Sequence, residues 1–165
     1  MKLYRHKVQY YETDQMGIVH HSNYIRWFEE ARNNLMDQMG ISYKRMEDMG
    51  IISPVLSVEA DFLRMVRFGG SVLIRAVIAE YNGIKLAVSY QVIDKTNNMV
   101  QCKGITRHCF LNDKGRPISL KKSFPEIHQL FEQEYAKEKQ SEVKSKNNKS
   151  SKNHKKHTKA DETDS

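Results

Sequence analysis

The chain has 165 residues, 39% hydrophobic and 28% charged, which is apolar material for one core and too little for two. Of its formal net charge of +7, about +4 lies in residues 137–165, which hold nine Lys against five Asp or Glu and no Phe, Trp or Tyr. That end is expected to be a disordered Lys-rich tail on a domain spanning residues 1–136. It excludes specific nucleic-acid recognition, since it has no interleaved aromatics, and leaves only salt-sensitive attraction to polyanions.

In chain order, residues 3–11 alternate and put Tyr4, His6, Val8 and Tyr10 on one face of a strand. NYIRWFEEARNNLMDQMG then reads as a helix: Tyr24, Phe28, Ala31, Leu35 and Met39 recur at three and four, and Ile25, Trp27 and Met36 widen the stripe. Ser22 or Asn23 fits its cap, and Gly40 the residue just past its end. After an irregular connection with a helical turn at YKRMEDMG, the period becomes two. PVLSVEADFL, SVLIRAVIAEY, KLAVSYQVID and VQCKGITRHCFL read as strands, with Asn82-Gly83 as a hairpin turn.

Cys102 and Cys109 match no common zinc spacing and are expected to be free thiols in a reducing, cytoplasmic setting. No apolar run approaches the ~20 residues of a membrane span, and the start of the chain does not read as a signal peptide. SFPEIHQLFEQEYAKE closes the domain as a helix, with Ser123 and Glu126 in capping-box spacing and Ile127, Leu130 and Phe131 facing inward. Strand, long helix, four strands in hairpin sequence and a last helix predict an α+β fold, an antiparallel sheet curled around the long helix.

The link between the first strand and that helix, YYETDQMGIVHHSNY, carries the chemistry. Taken singly, Asp14 fits an Asx turn, Gly17 a turn, and His21 loop packing. As a pattern, Tyr10-x-x-x-Asp14-x-x-Gly17-Ile18-Val19-x-His21-x-Asn23-Tyr24 resembles the active-site segment of hotdog-fold acyl-CoA thioesterases. The similarity is to the 4-hydroxybenzoyl-CoA thioesterase family, near its YbgC-type branch. It runs on through RWFEEARNNLM and FLRMVRFGG and covers residues 2 to about 132. Met65 stands where that family usually has proline, Gly70 where it has an acid, and Glu12 where the YbgC-type group has aspartate.

The resemblance implies a homodimer with sheets joined edge to edge, often paired into a homotetramer, acting on acyl-CoA. It also implies that Asp14 is the catalytic carboxylate and that the main-chain amide around His21 polarises the thioester carbonyl. The chemistry fits: a helix N-terminus offers unpaired N–H groups and partial positive charge to an oxyanion. Asp14 then acts as nucleophile, through a mixed anhydride, or as a base on water; both routes stay open. Gly17 allows a backbone conformation closed to other residues.

His20 is expected to line the acyl pocket or pack, and Asn23 and Tyr24 to cap, pack or touch substrate. Glu12 is the second-ranked carboxylate. Trp27, Phe28 and Met36 are core or pocket wall. Arg64 and Arg67, with Lys85 behind them, are candidates for the coenzyme phosphates. An activated acyl group requires no cofactor, and a metal site from Asp14, His20 and His21 is disfavoured because adjacent residues rarely ligate one ion. An acyl-carrier protein is an alternative acyl donor, and a non-catalytic acyl-CoA or acyl-carrier-protein binding scaffold is the alternative function.

Overall fold

Strand β1 (Tyr4–Lys7) is followed by helices α1 (His21–Gln38) and α2 (Tyr43–Asp48), then strands β2 (Val55–Phe62), β3 (Ser71–Tyr81), β4 (Lys85–Asp94) and β5 (Val100–Cys109). Helices α3 (Leu120–Ser123) and α4 (Pro125–His157) end the computed structural model, which describes residues 2–157. The five strands form one antiparallel sheet in the order β1-β3-β4-β5-β2. It is the α+β arrangement that the element order predicts, a sheet wrapped on one long helix, and the hotdog fold that the resemblance implies.

Alternation along the strands sends Ile74, Ile78, Val88, Tyr90, Val92 and Cys102 into the core, where the stripe of α1 meets them. Trp27 and Phe28 are completely buried, and each such aromatic contributes roughly 2–3 kcal/mol. Phe28 stacks on Tyr90 with ring centroids 4.5 Å apart. Its ring also presses on Gly104, where an added Cβ would lie 2.4 Å from the Phe28 ring carbons. Gly104 is thus required by close approach. It is a steric keyhole under the helix.

The details at the element ends differ from expectation. β1 stops at Lys7, and residues Tyr10–Glu12 form a 3-10 turn that leaves Tyr10 78% exposed, off the inward face. The cause is Glu12, whose carboxylate is drawn inward by buried donors. The cap of α1 is neither Ser22 nor Asn23 but His20, whose Nδ1 accepts from the Ser22 N–H at 3.3 Å. Gly40 does follow the helix end, at φ +82°.

Between β3 and β4 the loop has three residues, with Gly83 at φ +85° and the Asn82 Oδ1 accepting from the Ile84 and Lys85 amides. Ser123 closes α3 instead of capping α4. α4 packs Ile127 and Phe131 against Tyr81 and Phe110. It then meets the stretch of β3 beyond the reach of β1, through an Arg75–Glu138 ion pair.

Composition predicts disorder from residue 137, yet α4 continues to His157. Inability to build a core does not forbid a helix, and Lys, Glu and Gln, good helix formers, make up 11 of residues 137–157; Lys137–Glu134 is one supporting pair along it. The expected disorder of residues 158–165 lies outside the described residues. On the opposite side of the sheet, β2 pairs only with β5, leaving an open edge with Val55, Leu56 and Phe62 about half exposed.

Candidate active site

The loop between the Tyr10–Glu12 turn and α1 is built as an Asx turn. The Asp14 Oδ1 accepts the Met16 N–H at 2.8 Å, the Asp14 carbonyl accepts the Gly17 N–H at 2.9 Å, and Gly17 sits at φ +70°. That conformation is strained for any residue with a Cβ. The turn uses one carboxylate oxygen; the other, Oδ2, takes part in no hydrogen bond among the described residues. The Asx-turn and catalytic readings of Asp14 are therefore compatible, because the turn aims the carboxylate.

Two further ties fix the loop. The Val19 N–H donates to the Val66 carbonyl at 2.8 Å, and bridges pair Thr13 with Val19 and Ile18 with Arg67. At the helix entrance the Glu12 carbonyl accepts both the His20 N–H and the Asn23 Nδ2–H at 2.9 Å. The amide of His21, the first residue of α1, has no carbonyl partner among the described residues, as the start of a helix requires.

A cavity of about 390 Å³ opens between this loop, the start of α1 and the end of β2. Asp14, His21 and Arg64 are its charged or titratable side chains apart from Tyr24, and Ile18, Val19, Phe62, Leu63 and Met65 form its apolar wall. Burial pushes the Tyr24 hydroxyl up to about 12, so it stays neutral. Burial, reinforced by Asp61, likewise pushes the Cys102 thiol up to about 12. Cys102 and Cys109 are both free, and Cys102 supplies no thiolate nucleophile near neutral pH. Asp14 is the carboxylate that faces the cavity.

Of the residues proposed from sequence, Asp14, His21, Tyr24 and Arg64 come together there, and Gly17 shapes the loop. His20 does not line the cavity: it is an exposed cap whose ring lies 4.1 Å from that of His21. Asn23 is buried and ties the helix to the loop. The Arg67 guanidinium lies beside Gly17, outside the cavity lining, and Arg64 donates to the Val100 carbonyl at 2.7 Å. Trp27, Phe28 and Met36 are core.

Lys85 is misplaced by sequence reasoning. It pairs with Cys109, seven residues along β5 from the Cys102 that faces Phe62, hence roughly 23 Å from the cavity. There it borders a separate groove of about 400 Å³ with Arg107 and Tyr135.

Glu12, the second-ranked carboxylate, does not line the cavity. It is 5% exposed, and its oxygens accept from the Gln9 N–H at 2.7 Å, Trp27 Nε1–H at 2.8 Å and His6 Nε2 at 2.9 Å. Burial alone would raise its carboxyl, but these donors outweigh it and hold the group below its ordinary range. The apolar wall went unnoticed in the sequence; the signal that could have found it is Phe62, Leu63 and Met65, exposed apolar residues at and just past the end of β2. Among the described residues, no three His, Cys, Asp or Glu side chains converge as a metal site would need, and no helix is long and apolar enough to cross a membrane.

Residues 8–139 match the family model described as the thioesterase-like superfamily. A Bacillus subtilis (strain 168) protein named "Putative acyl-CoA thioesterase YneP" is 33% identical over 127 residues, 76% of this chain and 91% of its own length. The crystal structure of a DHNA-CoA thioesterase from Staphylococcus aureus superposes with a TM-score of 0.75 at 27% identity, covering 90% of this chain and 94% of that one. A hypothetical protein, TT1821 from Thermus thermophilus, gives a TM-score of 0.75 at 31% identity, with 81% and 99% covered.

Proposed function

Because the chain belongs to the thioesterase-like superfamily and is a hotdog-fold thioester hydrolase, we propose that it cleaves acyl-CoA to free acid and CoA through Asp14 and the His21 amide. The observation that carries this reading is that one cavity is lined by both Asp14 and His21, the first residue of α1, whose amide has no partner among the described residues. A thioester oxygen directed at the His21 N–H meets a donor and the positive end of the helix dipole. Removing one such donor costs roughly a hundred- to a thousandfold in rate.

Asp14 faces the carbonyl carbon from the other side. As a base it takes a proton from water, whose oxygen bonds to the carbon; collapse of the tetrahedral species breaks the C–S bond and CoA leaves as the thiolate, then takes up a proton. As a nucleophile it forms a mixed anhydride, expelling the thiolate first, and water then cleaves the anhydride. Arg64 at the cavity lip and Arg67 beside Gly17 supply positive charge for the coenzyme phosphates. An acyl-carrier protein presents the same thioester and is the other candidate donor.

The open edge of β2 offers unpaired main-chain groups to the same edge of a second copy, which supports a homodimer, with pairing to a homotetramer as the next step. The hydrolase unit is assigned to residues 1–136, with the Lys-rich end as a dispensable arm. The two free thiols fit a cytoplasmic setting.

Thiol release from a panel of acyl-CoAs tests the proposal. The native protein is expected to liberate CoA, and Asp14→Asn to fold and lose nearly all turnover. Turnover by that variant near the native rate overturns the assignment. Tight acyl-CoA binding without thiol release supports the non-catalytic scaffold instead.

A further inference from the structure

We propose that the end of the molecule around the cavity mouth docks on a bilayer surface that carries anionic headgroups. The antiparallel register brings Lys7, Ser71, Asp94, Val100 and Phe62 to one end of the sheet. Tyr10 and Tyr11 follow β1 there, Met16 belongs to the Asp14 turn, Phe68 lies between β2 and β3, and Met99 between β4 and β5. All five are exposed, and the ring of Tyr10 meets that of Phe68 edge-on at 5.6 Å. Among the described residues, the exposed Tyr and Phe side chains are these three and Phe62 of the cavity wall. Exposed apolar side chains gathered at one end mark a contact surface, whereas scattered ones need no explanation.

Charge says what the partner is. The same turns, residues 7–18, 63–70 and 94–99, carry Lys7, Arg64, Arg67 and Lys95, all exposed and none in an ion pair among the described residues. Of their acids, Glu12 is buried, and Asp14 and Asp94 accept turn amides. Side chains on separate turns suit a headgroup layer, which takes them up without matching their shape. Tyr and Phe flanked by Lys and Arg fit the boundary between anionic headgroups and acyl chains. Tyr10 and Tyr11 adjoin β1, at the opposite sheet edge from β2, so pairing of two copies through β2 leaves them uncovered. Docking stands apart from the Asp14 reading, and only its consequence rests on that reading. The mouth faces the bilayer, so an acyl chain enters and a free acid leaves without crossing water.

The test is sedimentation of the full-length protein with vesicles of phosphatidylcholine, alone or mixed with phosphatidylglycerol. The native chain is expected to pellet with the anionic vesicles at low salt, and to stay in solution at high salt or with neutral vesicles. Lys7→Glu with Lys95→Glu is expected to weaken vesicle affinity at least about tenfold, since each cation at such a surface contributes roughly fivefold. Tyr11→Ser with Phe68→Ser is expected to weaken it at least about tenfold as well. Both pairs lie at exposed positions, and thermal melting checks that each variant is folded. Thiol release from butanoyl-CoA in free solution is expected to persist in both, which separates this proposal from the hydrolase reading. Failure of the native chain to pellet overturns the proposal. Native affinity in either variant also overturns it; in both, the attraction belongs to the Lys-rich arm, which has no Tyr or Phe. A smaller particle in light scattering for Tyr11→Ser with Phe68→Ser overturns it by making this end a contact between copies. Binding of an acidic acyl-carrier protein through these residues, without vesicle binding, overturns it in favour of a protein partner.

Discussion

Two polar clusters are anchored on α1, and they do opposite things. At its start, Glu12, His6, Trp27 and Asn23 join in hydrogen bonds beneath the loop whose Asp14 lines the cavity. At mid-helix, Arg32 lies 3.3 Å from the His108 Nε2, which is 2.8 Å from the Thr106 hydroxyl, itself 2.9 Å from that of Tyr90. Those four residues are no more than 7% exposed, and none reaches the Asp14 cavity. Burial, then the charge of Arg32, pushes His108 down to about 4, so it stays a neutral imidazole. Both clusters hold groups able to move protons, but only the first underlies a loop that carries a carboxylate, Asp14, to the cavity. Access, more than residue type, separates chemistry from scaffolding.

The same distinction divides two carboxylates only two positions apart. Glu12 has donors on both oxygens, whereas the turn at Asp14 engages one oxygen and leaves the other. The comparison breaks most sharply in a pair of variants. Asp14→Asn should lose about a thousandfold in kcat with little change in stability, while His108→Gln should leave kcat close to native. Steady-state thiol release and thermal melting measure both.

Next in size is Glu12→Gln, whose amide presents N–H to donors that need an acceptor. It should destabilise the fold by about 2–4 kcal/mol in urea unfolding, with a smaller loss of activity as the start of α1 shifts.

The His108 cluster predicts a pH effect of its own. The unfolded chain binds the His108 proton near its ordinary value of about 6.5, the folded chain only near 4. Stability is therefore full above about pH 6.5 and falls as pH drops toward 4, by up to about 3 kcal/mol. Replacing His108 with Gln should flatten that part of a stability–pH curve. Smallest of all, deleting residues 137–165 should leave turnover nearly unchanged; among the ion pairs it removes are Arg75–Glu138 and Lys137–Glu134, each worth less than about 1 kcal/mol.

What could be read from the sequence follows the range of the forces involved. The stripe of α1 and the alternation of β3 to β5 were legible because each element buries one face, and burial writes its period into neighbouring residues. The turn of the Asp14 loop was legible because Asp14 and Gly17 are near neighbours in sequence, whereas the cap fell on His20 and not on Ser22 or Asn23. The early end of β1 was not, since it depends on a Glu12–Trp27 bond made only after the helix docks. Gly104 gave no local sign, because its constraint comes from the Phe28 ring. Lys85 was misjudged for a related reason: sequence order does not tell which end of a sheet meets a helix mouth. The boundary at residue 136 marks where core-forming residues run out, a different question from where a helix ends.

The central claim is that the thioester sits between Asp14 and the His21 amide. Titrating octanoyl-CoA into 15N-labelled Asp14→Asn, which binds without turning over, tests it at atomic resolution. The account predicts that the His21 amide shows the largest chemical-shift change, with Met16, Leu63 and Met65 following. A titration that leaves His21 still and moves the groove around Lys85 and Arg107 instead would contradict it.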